Sequence, residues 1–268
     1  MQQEITLAMI RNQDQNDVHM ITKKRNAYYA TKRVMDIAVA SVLLILLFPL
    51  MILTAIAILI YSPGPIFFVQ KRVGAKRCSH GNLTTWEPTT FRCLKFRTMR
   101  LNADSAIHQA YIRALIDNNH EQMQAVQSAA TRPRNALNQE QLTASQNAPT
   151  LPKKLVDDAR VIAPGKILRK FSLDELPQLW NVLCGDMSLI GPRPAIPYEV
   201  EMYKPWHKLR LQAQPGLSGL QQITARCITD FDEQVKLDIE YIENQSLWLD
   251  LKIAIKTPLA IISTKGAY

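Results

Sequence analysis

Two adjacent carboxylates, Asp174 and Glu175, stand in the stretch FSLDELPQLWNVLCGDMSLIGPRP (residues 171–194), just ahead of an apolar run. A third acid, Asp186, follows, and then an arginine between two prolines, Pro192-Arg193-Pro194. Carboxylates bind cations or attack phosphorus, and arginine pairs with phosphate oxygens, so acids close to a rigidly held arginine suggest phosphate chemistry. The same residues also have a purely structural reading. Ser172 and Glu175 form an S-x-x-E capping box, and acids in a first turn suit the helix dipole. Pro177 opposes that register. With Ser172 as N-cap, it would be the fifth helical residue, losing the bond to the Leu173 carbonyl and clashing there. With Asp174 as N-cap it is the third, where no intrahelical N–H bond is lost. The spacing therefore predicts a helix capped by Asp174 and carrying Leu179, Trp180, Val182 and Leu183. Arg169 lies five residues before Asp174, close enough to face the same site.

Other elements must bring further cations to these acids. IFFVQKRVG (residues 66–74) and FRCLKFRTM (residues 91–99) read as two strands around a polar, turn-rich loop. The first carries Lys71 and Arg72, and the second carries Arg92, Lys95 and Arg97. These bases form either a solvated strand edge or a cluster gripping phosphate oxygens. Lysine and arginine outnumber acids 32 to 23 over the 268 residues, which favours an anionic partner: nucleic acid, anionic lipid or a phosphorylated substrate. Nucleic acid is the weakest of these, since no basic motif interleaved with aromatics is present. Four cysteines without a CxxC pair give no thiolate metal site and point to reduced cytosolic thiols.

What holds the site in place is a membrane segment. Residues 37–61 carry no charge and are dominated by Leu, Ile, Ala and Val, a run long enough to cross a bilayer as a helix. Pro49 lies near its middle, where it removes a backbone bond and kinks the helix. Both flanks are basic, with Lys32 and Arg33 before and Lys71, Arg72, Lys76 and Arg77 after, so the positive-inside rule favours neither orientation. A re-entrant helix, dipping in and returning to one face, and a straight span both remain open. A span would put the first 30 residues across the membrane from everything else.

The remaining segments are simpler. Residues 1–30 form a polar arm with no apolar core of a signal peptide. Residues 101–156 shift in composition: Ile107, Tyr111 and Leu115 recur at helical spacing, and then Gln, Asn, Ala, Ser and Thr dominate to about residue 150. That segment reads as a polar insertion or mobile loop, not a second domain. Residues 248–262 mix Trp and aliphatics with Asp250, Lys252 and Lys256, which suits a helix lying at an interface or packed on the core. The expected fold is α+β and mostly helical, with one membrane-inserted, Pro-kinked helix (31–61), a small β-hairpin and interfacial amphipathic helices. A catalytic domain spans 62–268.

The chain resembles the bacterial sugar transferases, the polyprenyl-phosphate hexose-1-phosphate or monotopic phosphoglycosyl transferase family. The resemblance is carried by SPGPIFFVQKRVG (62–74), KFRTM (95–99), LRKFSLDELPQLWNVLCGDMSLIGPRP (168–194), QPGLSGLQQITAR (214–226) and LDIEYIENQSLWLDLKI (237–253). It implies transfer of sugar-1-phosphate from a UDP-sugar to undecaprenyl phosphate with release of UMP, priming a surface polysaccharide. It also implies that Asp174 is the nucleophile on the sugar-bearing phosphorus and that Glu175 holds Mg2+. Arg169, Arg193 and Arg226 match family arginines, and Lys95 and Asp238 match further motif positions, all as substrate-binding candidates. The chemistry is reasonable, because a carboxylate nucleophile divides an exchange between two anions into two steps while cations absorb charge. An ionised phosphate acceptor needs no histidine base. The family expectation is a bacterial inner-membrane protein with its site on the cytoplasmic face, a minimal catalytic form, with membrane lipid as a partner and a homodimer left open. Gln221 and Ala225 depart from the common Trp and Gly. An idle membrane scaffold is the alternative class, and the intact Asp174-Glu175 pair argues against it.

Overall fold

The computed structural model describes residues 25–80, 83–101, 106–130, 158, 160–224 and 230–262. The apolar run lies in one helix, α1 (Asn26–Tyr61), of 36 residues, or about 54 Å. Pro49 sits inside it and leaves the Ile45 carbonyl without its helical donor, yet the helix continues on both sides. Val42, Ile45, Leu46, Phe48, Leu53 and Ile60 are each 59–77 % exposed. An apolar surface of that extent is what a helix solvated by lipid presents. Among the described residues, α1 is the one helix long and apolar enough to cross a membrane.

Both ends of α1 are nevertheless tied to the same body. Near its start, Lys32 pairs with Asp250 at 2.8 Å. Arg33 donates to the carbonyls of Val182 and Leu183, and the Asp36 carboxylate accepts from the Leu189 N–H at 3.0 Å. At its end, the Arg97 guanidinium donates to the Ser62 carbonyl. Between them, Ala40 packs with Phe91, Leu179, Val182 and Met187, and Ile58 with Phe96, Ile162 and Leu168.

After α1 the chain forms an antiparallel hairpin of β1 (Phe67–His80) and β2 (Leu83–Phe96), in register from Phe67 opposite Phe96 to His80 opposite Leu83. The strands extend well beyond the expected residues 66–74 and 91–99 and absorb most of the segment expected as a loop. Thr84, Thr85, Thr89 and Thr90 suit a pleated ribbon, and Pro88 is tolerated because a two-stranded ribbon has only edges.

The expected polar insertion begins as part of the core. Helices α2 (Ala106–Ile116) and α3 (His120–Ala130) follow, and Tyr111, Leu115, Ile116 and Met123 are buried against Val73, Ala195, Tyr203, Phe231 and Val235. The composition beyond residue 118 predicts a loop; Met123 and Val126, with few other apolar groups, are enough to seat a helix. Residues 131–157 lie outside the described part.

The remaining chain runs through α4 (Ala163–Lys170), a 3-10 turn (Leu173–Glu175), α5 (Gln178–Cys184), β3 (Ser188–Ile190), α6 (Pro197–Glu201) and a second 3-10 segment (Pro205–Leu211). Then come β4 (Gly216–Ser218), α7 (Leu220–Thr224), α8 (Phe231–Glu243) and α9 (Leu247–Ile262). Strands β3 and β4 pair in parallel. Helix α9 buries Asp250 and Ile253 and exposes Trp248, Leu251, Ile255 and Leu259.

Candidate active site

Asn181 docks α5 onto the hairpin. Its side-chain oxygen accepts from the Leu94 N–H at 3.0 Å, and its amide nitrogen donates to the Arg92 carbonyl at 2.7 Å. The same nitrogen is 3.4 Å from an oxygen of Asp186, the third acid of the motif. These bonds fix the turn preceding α5 relative to β2, and so bring Glu175 to Lys95. The Lys95 ammonium donates to Glu175 Oε1 at 2.7 Å, with the two side chains 17 % and 26 % exposed.

The turn itself differs from the expected cap. Ser172 adopts a left-handed conformation, φ 55°, and starts the 3-10 turn with no side-chain cap bond. Pro177, not Asp174, occupies the N-cap of α5, where its missing N–H removes no helical bond. Asp174 is therefore not the N-cap of α5. Asp174 is buried within the turn, at 9 % exposure.

The arginine motif is set by close backbone packing. Gly191 donates to the Ser218 carbonyl and Gly216 to the Pro192 carbonyl, both at 2.8 Å. A Cβ on Gly216 would lie 2.0 Å from the Gly191 nitrogen, so the two motifs can meet only through glycine. Arg193 emerges exposed from this loop. Beneath it, Arg72 is buried, donates to the Pro194 carbonyl at 2.9 Å and is held by Gln70. Burial holds the Arg72 guanidinium below its ordinary pKa, and the neighbouring Arg193 charge adds to that. Two guanidiniums that oppose each other's charge form a place for an anion.

Arg72, Lys95, Glu175 and Arg193 line one cleft, together with Cys93, Gln178, Pro194, Gly216, Leu217 and Gln222. Its volume is about 40 Å³. Burial raises the Cys93 thiol pKa, while the Lys95 and Arg72 charges pull it down. Arg169 approaches from α4, with its Nε donating to Thr98 Oγ1 at 2.9 Å. Burial lowers its pKa, and the Asp174 charge works in the opposite direction, so these two groups face each other electrostatically. The structure thus brings Lys95, Glu175 and Arg193 to one cleft, and sets Arg169 near Asp174 in the adjoining turn, where neither lines the cleft. Asp238 is elsewhere: fully buried on α8, it pairs with Arg210 at 2.5 Å and does not line the cleft. Arg226 lies outside the described residues, as does Ala225. Gln221 is buried and bonds to Gln234.

In the sequence Arg72 is one of several strand bases, and nothing there singles out Gln178, Cys93 or Gln222 as site residues. Alternation gives no signal for Arg72, because burial in β1 runs without a break from Arg72 to Ala75. Gln178 lies inside the same motif as the acids.

Among the described residues, no group of three or more His, Cys, Asp or Glu side chains could hold a metal. A magnesium ion needs less, because it is commonly held by one or two carboxylates, substrate phosphate and water. Glu175 at the cleft, with one oxygen on Lys95, fits such a site in donor type.

Residues 27–264 match the model of the family described as bacterial sugar transferase. The chain is 33 % identical over 237 residues to the exopolysaccharide production protein ExoY of Rhizobium meliloti (strain 1021), covering 88 % of each chain. It is 34 % identical to the UDP-glucose:undecaprenyl-phosphate glucose-1-phosphate transferase of Caulobacter vibrioides, covering 88 % of this chain and 72 % of that one. It is 35 % identical to the undecaprenyl-phosphate galactose phosphotransferase of Salmonella typhimurium, covering 88 % of this chain but 41 % of that one. A match running from the first turn of α1 to beyond α9 takes in the whole cleft, and the chain belongs to the bacterial sugar transferase family.

Proposed function

We propose that the protein transfers sugar-1-phosphate from a UDP-sugar to undecaprenyl phosphate, releasing UMP and priming a surface polysaccharide. The observation that carries this reading is the convergence of Arg72, Lys95 and Arg193 with Glu175 on one cleft, in the turn that also holds Asp174. The names of the relatives from Caulobacter vibrioides and Salmonella typhimurium support the same substrates.

In the first step an Asp174 carboxylate oxygen bonds to the sugar-bearing phosphorus, and the bond from that phosphorus to the UMP oxygen breaks. UMP leaves with the electron pair. In the second step an oxygen of undecaprenyl phosphate bonds to the same phosphorus, the aspartyl bond breaks, and the carboxylate is regenerated. Arg193 and Arg72 hold phosphate oxygens, and Arg169 sets a positive charge near Asp174. Lys95 is released from Glu175 to the incoming diphosphate. Magnesium, with Glu175 as its protein ligand, would supply further neutralisation of diphosphate charge.

The reaction belongs at a bacterial inner-membrane surface, on the cytoplasmic face, where UDP-sugars occur. A re-entrant α1 is favoured over a span because Lys32, Arg33 and Asp36 near its start and Ser62 past its end all bond to one body. The exposed Trp248, Leu251, Ile255 and Leu259 of α9 would then rest at the same interface.

Detergent-purified protein, supplied with magnesium, undecaprenyl phosphate and a panel of UDP-hexoses, should release UMP with at least one donor. No release from any donor would overturn the assignment. Asp174→Asn should lower turnover by about 10³-fold or more, as removal of a nucleophile does. Retained activity in that variant would remove the covalent mechanism while leaving the substrates in place.

A further inference from the structure

A second cavity, of about 280 Å³, opens where the start of α1 meets the hairpin, and it shares no residue with the catalytic cleft. Its wall carries Tyr29, Lys32 and Arg33 from α1, Lys76 and Arg77 from β1, and Trp86 from β2. Four cations thus face it, against Asp36 as the acid in the lining. Not all of them are available to a ligand. Lys32 is paired with Asp250, Arg33 is committed to two carbonyls, and Asp36 accepts from Leu189. Those bonds hold the α1 wall rigid. The hairpin supplies the other side. Arg77 lies over the Tyr29 ring at 4.6 Å and donates to the Asn26 side chain, and Lys76 is exposed beside it. Trp86 stands edge-on to Tyr29, with ring centroids 5.4 Å apart.

The depth of the cavity identifies the ligand class. Tyr29 to Asp36 lie one to eight residues before the uncharged run opens at Ile37, so the cavity is within about 12 Å of the hydrocarbon boundary along the helix axis. Cations next to a membrane helix attract anionic headgroups, and Trp and Tyr rings favour the same depth. We propose that this cavity holds the phosphate of an anionic phospholipid headgroup, a site separate from that of the reacting lipid phosphate. The exposed Lys76 supplies the donor, Arg77 adds its charge from its place over Tyr29, and Tyr29 and Trp86 form the edge toward the acyl chains. The bound lipid would bridge α1 and the hairpin and set the height of the body above the bilayer. This inference rests on residues 37–61 lying in the membrane.

Native mass spectrometry of the full chain in detergent, titrated separately with phosphatidylglycerol, phosphatidylcholine and inorganic phosphate, tests it. Phosphatidylglycerol should be retained in preference to phosphatidylcholine. At about 1 kcal/mol per basic residue, Lys76→Glu with Arg77→Glu should weaken phosphatidylglycerol at least about ten-fold. UMP release in micelles should stay at the wild-type rate, which also reports on folding. Lys76→Gln, an exposed change that the fold tolerates, should weaken the same lipid about five-fold. Equal affinity for the two lipids, or unchanged phosphatidylglycerol affinity in these variants, overturns the proposal. Inorganic phosphate competing as well as phosphatidylglycerol would make this a free-phosphate site and overturn the lipid assignment. Failure of the underlying membrane reading is distinguishable, since the chain would then remain in solution without detergent.

Discussion

Lys95 and Glu175 neutralise each other in the resting cleft, and that pairing has little to do with stability. Both side chains are partly exposed, and a pair of this kind contributes at most about 1 kcal/mol. On the proposed function its value is chemical: an ammonium parked on a carboxylate would be handed to an incoming phosphate. Lys95→Met should therefore cut the UMP-release rate strongly while shifting unfolding by no more than about 1 kcal/mol. Parallel measurement of turnover and denaturant unfolding checks this, and a large stability loss with normal turnover would make Lys95 structural. The motif residues Asp174, Glu175 and Arg193 were legible in the sequence because acids beside a proline-locked arginine are an unusual combination. Arg72 was not, because one strand base resembles another until the Pro194 carbonyl shows which is buried. At Asp238 a buried acid held by Arg210 and a substrate-binding acid look alike in a sequence, and the structure shows the pairing with Arg210.

At the scale of elements, the hairpin and α5 were readable from alternation and apolar spacing, but α3 and the length of β1 and β2 were not. Those depend on tertiary partners: Met123 is helical because Tyr111, Phe231 and their neighbours give it a surface to cover. Helix α2 also carries His108, whose Nδ1 is 2.5 Å from the Tyr198 hydroxyl on α6. Burial pushes the His108 pKa down to about 4; Glu199 acts to raise it, and Arg72, Arg193 and Arg160 to lower it. The folded protein therefore keeps His108 neutral in a range where the unfolded chain, titrating near 6.5, takes up a proton. Its contribution to stability is complete above pH 6.5 and is lost as pH falls toward 4. Between pH 7.5 and pH 5 wild type should lose about 1–2 kcal/mol more than His108→Gln, measured by denaturant unfolding in detergent. Equal losses in the two proteins would show that His108 is not the group responsible.

At the scale of the molecule, one apolar helix is joined to one polar body at both of its ends, and the re-entrant course proposed for it rests on that joint. Lys32, Arg33 and Asp36 bond to α9, α5 and β3, and Ser62 bonds to Arg97 just past β2. Breaking the Lys32–Asp250 pair to let α1 stand across a bilayer would leave a buried carboxylate without its ammonium, a loss of about 3–5 kcal/mol. On the re-entrant course proposed for α1, its two ends lie on one side of the membrane, the side that holds the cleft. Two single-cysteine chains read this directly, one retaining Cys184 on the exposed end of α5 and the other carrying Ala30→Cys on an exposed position of α1. In intact spheroplasts neither should react with a membrane-impermeant maleimide, and both should react once the membrane is permeabilised. Labelling of Ala30→Cys from outside while Cys184 stays protected would mean that α1 spans the bilayer, and the bonds at its N-terminal end could not all exist in the membrane. Matched protection of both positions would instead put the start of α1, the basic cavity beside it and the catalytic cleft on a single surface. On the proposed function, UDP-sugar and lipid phosphate would meet there without either crossing the membrane.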